Sequence, residues 1–421
     1  MAKERALLVG LVLQNMPLHR VEEYLDELAS LVDTAGGLVV RREVQSREHP
    51  DPATFVGRGK AEELGRLCVA EGIKLVVFDD DLTPAQVRNL EKAVGVRVTD
   101  RTGVILDIFA RRARTREAKT QVELAQYTYL LPRLTRAWTH LSRQAGGIGT
   151  RGVGETQLET DRRVIRRRIA VLTRDLRRIA DQREVQRRSR EETFEVALVG
   201  YTNVGKSSLM NSLTAAHVAV EDRLFSTLDT TFRRMPSDRA GLPVVLIDTV
   251  GLVRKLPHHL VASFRSTLEQ ASEADLILHV VDVSHPSFEE QAVTTLEVLA
   301  DLGMDKIPLL TVLNKVDCTG EGVLARAGSL YPDSVAVSAT TGEGLDKLRE
   351  AVSAAARRAT TGRTLFVRYE AWPQFVTLRT GYRTLREHYE KDGVTVVLRA
   401  GEKEVAELAA RLGIPAGVQE T

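Results

Sequence analysis

The chain has 421 residues, of which 43% are hydrophobic and 28% charged, an ordinary composition for folded domains and enough for two or three hydrophobic cores. No stretch reaches the roughly 18 apolar residues of a membrane span, and the short apolar run at the N-terminus is interrupted by Gln14, which favours a buried strand over a signal peptide. The two cysteines, Cys68 and Cys318, lie far apart, which argues against a zinc site and indicates a reducing, cytoplasmic compartment.

The net charge of +2 hides an asymmetry along the chain. Residues 101–193 contain 22 Lys/Arg and 11 Asp/Glu, hence +11, whereas the remaining 37 basic and 46 acidic residues give −9. A basic segment between acidic parts is the electrostatic footprint of a nucleic-acid partner. The alternative is an arginine-rich helical surface that only faces water.

Residues 1–112 alternate short apolar runs with helical patterns. The runs are "ALLVGLVLQ", "GLVVRREV", "KLVVFDD" and "VRVTD", and amphipathic segments of helical period lie between them. Such alternation predicts a small parallel sheet with helices packed against it, an N-terminal α/β domain.

Residues 113–193 are predicted to be all-helical. One helix ends near Pro132, and a second runs from about residue 155 to 186. The apolar positions of the second helix are spaced by 7, 4, 3, 4 and 3 residues, which indicates a single seam and therefore an antiparallel hairpin. These positions are Leu158, Ile165, Ile169, Leu172, Leu176 and Ile179.

The loop of this hairpin, about 133–154, contains "GIGTRG", which matches the G-x-G-x-x-G pattern of a dinucleotide-binding loop. That pattern needs a preceding strand, whereas the preceding residues here are polar and basic. We expect instead a glycine-rich, basic tip that contacts RNA; a disordered linker is the alternative. The arginines expected in this loop are Arg133, Arg136, Arg143 and Arg151.

Residues 194–357 contain a Walker A motif in its required context, with an apolar strand before it and a helix after it. The motif is Gly200-x-x-x-x-Gly205-Lys206-Ser207. Its backbone N–H groups are expected to surround the phosphates, with Lys206 at the β and γ oxygens and Ser207 on Mg²⁺.

Three further motifs each follow a predicted strand. Asp248 is the first residue of "DTVG" and can hold Mg²⁺ through a water molecule, and the N–H of Gly251 can contact the γ-phosphate. Asp317 closes "NKVD" and can accept two N–H bonds from guanine, which adenine cannot offer; Ser338-Ala339 can reach the guanine carbonyl. Four motifs in this order predict a GTP-binding P-loop domain.

The switch regions are predicted around these motifs. Thr230 or Thr231 would ligate Mg²⁺ in switch I. In switch II the position of the water-orienting glutamine is Leu252, so hydrolysis by the isolated protein should be slow, and His258 and His259 are expected to be surface or switch residues. Asn203 either braces the P-loop, which we favour, or helps to hold K⁺ beside the phosphates.

Residues 358–421 are predicted to form a small α+β domain in the order strand, helix, strand, helix. The segments are "TLFVRY", "QFVTLRTGYRTLREHYEKDG", "VTVVLR" and "KEVAELAARL". No motif with visible chemistry lies in this region.

With the motifs joined, the chain resembles the HflX family of translational GTPases over nearly its whole length. The matching segments are "FVGRGKAEEL", "REAKTQVELAQYTYLLPRL", "GGIGTRGVGETQLETDRR", "GYTNVGKSSL", "DTVGL" and "LPHHLVASFRSTLEQ". The resemblance implies a GTPase that binds the large ribosomal subunit and splits or rescues stalled ribosomes, especially under stress. We expect the protein to be a monomer. It also implies that the hairpin tip reaches toward the peptidyl-transferase region.

The sequence departs from the usual family pattern at three positions. Asp229 stands where a proline is usual before the switch I threonines, which leaves the choice between Thr230 and Thr231 open. Val153 also replaces a usual proline, so we expect a looser tip. Leu252 replaces a usual phenylalanine. The alternative functions are a GTP-switched ribosome-assembly or RNA-binding factor that splits nothing, and an RNA-modifying GTPase, for which no nucleophile or cofactor motif is visible.

The predicted site residues fall into four groups. The catalytic residues are Lys206, Thr230 and Gly251, and the magnesium ligands are Ser207, Thr230 and Asp248. The nucleotide-binding residues are Gly200, Tyr201, Thr202, Asn203, Val204, Gly205, Lys206, Ser207, Ser208, Asp248, Gly251, Asn314, Lys315, Asp317, Ser338 and Ala339. The RNA-contacting tip comprises Arg143, Gly146, Gly147, Gly149, Arg151 and Gly152.

Overall fold

The computed structural model describes residues 3–14, 16–134, 157–188, 193–214, 224–225, 230–236, 243–255, 271–360, 363–379, 383–399, 402–414 and 419–420. Within these ranges the strands form three sheets, of four, six and four strands. None of the helices in the same ranges is both long and apolar enough to cross a membrane. The architecture is α/β, as the alternation of apolar runs and helical patterns predicts.

The N-terminal unit is a parallel sheet in the order β2-β1-β3-β4. Its strands are β1 (Glu4–Val12), β2 (Gly37–Ser46), β3 (Leu75–Phe78) and β4 (Arg97–Asp100), and its crossover helices are α1 (Leu18–Thr34), α2 (Arg58–Glu71) and α3 (Pro84–Val94). In β1 the run from Ala6 to Val9 is at most 1% exposed, because helices cover both faces of this central strand. All four predicted strands are therefore confirmed.

A helical segment follows the sheet. It comprises α4 (Arg101–Arg112), α5 (Arg116–Leu130), a short 3₁₀ turn (Leu131–Arg133) and the long α6 (Gln157–Arg188). Arg168 donates to the Glu123 carboxylate at 2.8 and 2.9 Å, and Arg162 donates to the Leu134 carbonyl at 3.0 Å. Since residues later in α6 meet residues earlier in α5, the two helices are antiparallel. Leu172, from the predicted seam, is only 3% exposed.

Arg133 does not lie in an RNA-facing loop, so its expected position was wrong. It donates to the Asp100 carboxylate and to the Leu82 carbonyl, both at 2.9 Å, and its guanidinium lies 3.6 Å from the centre of the Tyr129 ring. Asp100 is fully buried at the end of β4 and needs a cationic partner, which draws Arg133 against the N-terminal sheet.

The second sheet has the strand order β10-β9-β8-β5-β7-β6, with only β6 antiparallel to its neighbour. Its strands are β5 (Phe194–Gly200), β6 (Thr231–Arg234), β7 (Val244–Asp248), β8 (Leu276–Asp282), β9 (Leu309–Asn314) and β10 (Val335–Ala336). The helices are α7 (Lys206–Thr214), α8 (Phe288–Asp301), α9 (Glu321–Leu330) and α10 (Leu345–Thr360). This is a parallel, doubly wound sheet whose strand ends can form a ligand site.

The C-terminal unit differs from the predicted order. It is an antiparallel sheet in the order β12-β13-β11-β14, with β11 (Arg363–Arg368), β12 (Arg383–Tyr389), β13 (Gly393–Arg399) and β14 (Gln419–Glu420), and with α11 (Trp372–Leu378) and α12 (Glu402–Arg411). The single helix predicted from residue 374 to 393 is wrong in its second half. Asp392-Gly393 closes a β12–β13 hairpin in which the Glu390 N–H donates to the Gly393 carbonyl at 2.8 Å.

Candidate functional site

The four sequence motifs come together at one edge of the six-stranded sheet. Strands β5, β7, β9 and β10 run parallel, so their carboxyl ends meet at the same edge. Each motif begins at or just after one of those ends. The strand–loop–helix context that the Walker A pattern requires is therefore present in β5 and α7.

Two glycines of the Walker A loop allow backbone contacts that no other residue would permit. A Cβ at Gly200 would lie 2.3 Å from the Val280 carbonyl oxygen of β8. Gly205 has φ +91°, and a Cβ there would lie 2.4 Å from Nδ2 of Asn314. The loop therefore lies directly on its neighbours at both glycines.

Lys206 is buried beneath this loop. Its Nζ donates to the carbonyl oxygens of Gly200 at 3.1 Å and Tyr201 at 2.8 Å. Burial lowers the pKa of Lys206 to about 8, against the opposing attraction of the Asp248 carboxylate. A bound phosphate would place negative charge next to this ammonium group and would therefore raise the pKa of Lys206 again.

The oxygen atoms beside Lys206 suit a hard divalent cation. The Ser207 hydroxyl donates to Oδ2 of Asp248 at 2.6 Å, and both residues are buried. Hydroxyl and carboxylate oxygens, completed by phosphate and water, are the ligands that Mg²⁺ prefers. Thr231 is the first residue of β6 and pairs with Asp248 of β7, and Thr230 immediately precedes it. Both predicted switch I threonines therefore lie near the strand end that carries the Asp248 carboxylate.

The predicted base-recognition residues surround the other end of the loop. Asn314 is 1% exposed; its Nδ2 donates to the Val204 carbonyl at 2.7 Å and its Oδ1 accepts from the Ala339 N–H at 3.1 Å. Lys315 has φ +65°, and its Nζ donates to the Asn203 carbonyl at 2.9 Å. Asn314 therefore joins the Walker A loop to the loop that contains Ser338 and Ala339, called the base loop here, and Lys315 adds a second bond to the Walker A loop.

Asp317 lies beside the base loop, where the side chain of Ser338 forms a hydrogen bond with its carboxylate. Asp317 is exposed, and hydrogen bonds from Ser338 and then Cys318 lower the pKa of its carboxyl group. Ser338 is fully buried and its Oγ accepts from the Thr341 N–H at 3.0 Å, which fixes the loop around Ala339. An ionised, solvent-facing carboxylate is in a form that can accept the two guanine N–H groups.

Residues 251–255 continue from β7 across the Walker A loop. The Leu252 N–H donates to the Gly200 carbonyl at 3.1 Å, and the Thr202 N–H donates to the Leu252 carbonyl at 2.7 Å. A Cβ at Gly251 would lie 2.8 Å from the Cα of Thr202 and 3.2 Å from Nζ of Lys206. Gly251 therefore lies against the Walker A loop and close to the ammonium group of Lys206.

Several predicted residues lie outside the described part of the chain. They are His258, His259, Asp229, Val153, the loop residue Arg136 and every residue assigned to the RNA-contacting tip, namely Arg143, Gly146, Gly147, Gly149, Arg151 and Gly152. Their assignments stay predictions.

Sequence reasoning missed the partners that come from distant parts of the chain. The Tyr201 hydroxyl contacts both carboxylate oxygens of Glu27, at 2.8 and 2.9 Å, although 174 residues separate the two. Asp282, at the end of β8, forms a 2.6 Å ion pair with Lys315. The sequence did contain a signal for Asp282, because this residue ends the apolar run "LILHVVD" just as Asp248 and Asn314 end their own apolar strands. No local sequence feature points to Glu27.

Three family models together match most of the chain. "GTP-binding GTPase N-terminal" matches residues 22–110, "GTP-binding GTPase Middle Region" matches 112–190, and "50S ribosome-binding GTPase" matches 195–315.

Curated relatives extend this match at high identity. GTPase HflX of Flavobacterium psychrophilum is 52% identical over 314 residues, which are 75% of this chain and 76% of that protein. The chain belongs to the HflX family of GTPases. GTPase HflX of Escherichia coli strain K12 is 48% identical over 335 residues, 79% of this chain and 78% of the relative. The family and the P-loop fold identify this chain as a GTP-binding protein and a GTPase.

Among solved structures, the chain is similar to SsGBP in complex with GDP. That similarity has a TM-score of 0.48 at 25% identity and covers 85% of this chain and 99% of the other.

The depressed pKa of Lys206 makes nucleotide binding a proton-linked reaction. The free protein has a Lys206 pKa of about 8 and the phosphates raise it, so binding should take up almost no proton at pH 7 and up to one at pH 9. Affinity for GDP should consequently fall as pH rises above about 8. Calorimetry in buffers of different ionisation enthalpy measures the uptake. In Lys206→Arg, whose guanidinium stays charged, the uptake should vanish; equal uptake in both proteins would contradict the assignment.

Guanine selection should depend on the Asp317 carboxylate. Asp317→Asn should weaken GTP binding by about a hundredfold, because two charge-assisted hydrogen bonds are lost, and should shift preference toward xanthine nucleotides, whose extra oxygen suits an amide donor. Fluorescent GDP and XDP titrations measure both effects. Asp305→Asn, at an exposed position away from the motifs, is the control. Unchanged GTP affinity in Asp317→Asn would rule out this role.

Proposed function

We propose that this GTPase binds the large ribosomal subunit through its helical hairpin and uses GTP to split or rescue stalled ribosomes. The observation that carries the proposal is the hairpin itself, a stiff basic stalk attached to a GTP-binding unit. The family model that matches residues 195–315 is described as a 50S ribosome-binding GTPase, which supports the same partner. Ribosome action under stress, a monomeric state and a cytoplasmic location are parts of this proposal.

The charge of the stalk supports an RNA partner. Helix α6 spans 32 residues, and a row of its arginines is exposed along the described length. They include Arg166, Arg167, Arg174, Arg177 and Arg178. Ion pairs with phosphates would release counterions, so the stalk provides affinity without sequence specificity. The tip predicted within residues 133–154 would supply the closer contacts.

We propose a role for each residue of the nucleotide site from its position and its chemistry. Lys206 neutralises the β- and γ-phosphates, and the Gly251 N–H contacts the γ-phosphate. Ser207, Asp248 and Thr230 would hold Mg²⁺, with Thr231 as the alternative to Thr230; the ion would neutralise charge on the phosphate oxygens. Asn314, Lys315, Asp317, Ser338 and Ala339 fix and select guanine. Leu252 is 2% exposed and cannot orient water, so the ribosome would have to complete the hydrolytic site.

We also propose that the functional units are residues 1–112, 113–193, 194–357 and 358–421. A second candidate function is a GTP-switched ribosome-assembly or RNA-binding factor, favoured by the same basic stalk because RNA binding alone would require it. Light scattering of intact ribosomes separates the two: GTP-dependent dissociation supports splitting, and binding without dissociation supports the second function.

The hairpin tip should govern ribosome action but not nucleotide binding. Deletion of residues 146–154 should change the affinity for GTP and GDP by less than about twofold, because the Walker A loop is formed between β5 and α7. The same deletion should reduce the GTP turnover that large ribosomal subunits stimulate. Co-sedimentation with separated subunits, with GDP and with a non-hydrolysable GTP analogue, measures binding in parallel. Full stimulation of the deletion variant would exclude a role for the tip.

Potassium should accelerate turnover if Asn203 helps to hold a monovalent cation beside the phosphates. Asn203 has φ +63° within the Walker A loop, and its carbonyl is already bonded to Lys315. A cation there would stabilise charge in the transition state as an arginine finger does, an effect worth up to roughly 10³–10⁵ in rate. The measurement is the turnover rate in K⁺ and in Na⁺ at equal ionic strength. Equal rates would indicate that Asn203 only braces the Walker A loop and holds no cation.

A further inference from the structure

The C-terminal unit has the connectivity of a split βαβ fold. Its elements follow one another in the order β11, α11, β12, β13, α12 and β14, and its antiparallel sheet has the order β12-β13-β11-β14. The first and third strands of the unit, β11 and β13, therefore lie in the centre of the sheet. Since many functions share this connectivity, the residues on each face of the sheet decide what it can bind.

The two helices close one face of this sheet. Leu365 and Val367 of β11 are fully buried in a cluster that also contains Phe375 of α11 and Leu408 of α12. Side chains alternate between the two faces of a strand, so the intervening residue points away from the helices. That residue is Phe366, which is 39% exposed although it lies between two fully buried neighbours. We call the surface to which Phe366 belongs the open face.

The open face carries two rings in one row. Phe366 of β11 pairs with Thr395 of β13, and Thr395 pairs with the exposed His388 of β12. Paired residues of neighbouring strands lie on the same face, so the two rings stand about 10 Å apart, which is twice the strand spacing. A Cβ at Gly393 would lie 2.8 Å from Cζ of Phe366. The phenyl ring therefore reaches over this glycine and is supported by the backbone of β13.

Basic side chains flank the two rings. Arg368 at the end of β11 and Arg386 of β12 are exposed and, by the same alternation, belong to the open face. A carboxylate lies here as well, because Glu390 accepts a hydrogen bond from the Thr395 hydroxyl. Aromatic rings that can stack on bases, beside guanidinium groups that can pair with phosphates, are typical of surfaces that bind single-stranded nucleic acid.

We propose that the open face binds a single-stranded nucleic acid, with one base stacked on Phe366, a second base on His388, and phosphates on Arg368 and Arg386. Recognition here differs from that expected of the basic α6 stalk, which pairs with phosphates of any strand. The rings need base faces that are not already covered, so a duplex, whose bases are stacked on one another, is excluded. Neither GTP nor a ribosome takes part, and the proposal therefore goes beyond the function proposed above.

Phe366→Trp in the full chain provides a local measurement. Indole also stacks on bases, so this variant should bind, and a base that covers the new tryptophan should quench its fluorescence. The probe is a hexamer of adenylate, as RNA and as DNA, titrated into the variant and into the unaltered chain, in which Trp138 and Trp372 give the background. We expect quenching clearly above this background. An excess of blunt-ended RNA duplex occupies the stalk and should leave the quenching unchanged.

Phe366→Leu tests the stacking by its loss. Leucine still covers Gly393, so the unit should fold, but it offers no ring. In an excess of duplex, the hexamer affinity from fluorescence anisotropy should fall by about five- to a hundredfold. Arg386→Gln should reduce the slope of log affinity against log salt by about 0.7, the value for one phosphate contact to a single strand. The matched control is Tyr389→Leu, since Tyr389 is 61% exposed but lies against Trp372 of α11.

Three results would overturn the proposal. They are hexamer affinity in Phe366→Leu equal to that of the unaltered chain, Phe366→Trp fluorescence quenched no more than the background, and quenching that the duplex abolishes. Equal losses in Phe366→Leu and Tyr389→Leu would also overturn it, because they would indicate a general disturbance of the unit. A preference for the RNA or for the DNA hexamer identifies the natural strand, and either preference supports the proposal. Ribosome binding and splitting are measured separately and can fail without changing this result.

Discussion

The nucleotide site depends on backbone-to-backbone contact at the end of β5. Gly200 presses against the carbonyl of Val280, and Gly251 presses against the Cα of Thr202, each at a distance that excludes a Cβ. The phosphate loop, the neighbouring strand and switch II are therefore stacked without intervening side chains. A shift in one of these three backbones must move the others, because van der Waals contact leaves no gap in which a displacement could be absorbed.

A different force joins the N-terminal unit to this stack. Arg101 is almost completely buried between two carboxylates, and removing one member of such a group costs about 3–5 kcal/mol, since an uncompensated charge is left in a medium of low dielectric constant. Apolar packing accompanies it, as the Phe109 and Phe225 rings meet edge to face with centroids 4.7 Å apart. Charged groups restrict the permitted geometry more than apolar ones do, because their hydrogen bonds require particular directions.

Local sequence was sufficient for most of the fold and for the site motifs. Apolar runs located the strands of the N-terminal sheet, and the Walker A loop is a contiguous motif that can be recognised without its distant partners. It was insufficient for Arg133, which is drawn to Asp100 across 33 residues, and for the Glu27–Tyr201 bond across 174. Strand β12 was predicted as helix because "TLREHY" has no clear period of its own, and its partner strand decides its conformation.

The Asn314 side chain has a consequence for how the protein releases its product. One amide group bonds both the Val204 carbonyl of the phosphate loop and the Ala339 N–H of the base loop. This neutral pair of hydrogen bonds joins the two halves of the binding cleft, together with the bond from Lys315 to the Asn203 carbonyl, and neutral hydrogen bonds contribute only about 0.5–1.5 kcal/mol each. Displacement of this one amide would therefore release the Val204 carbonyl and the Ala339 N–H at the same time, so that both loops would loosen together.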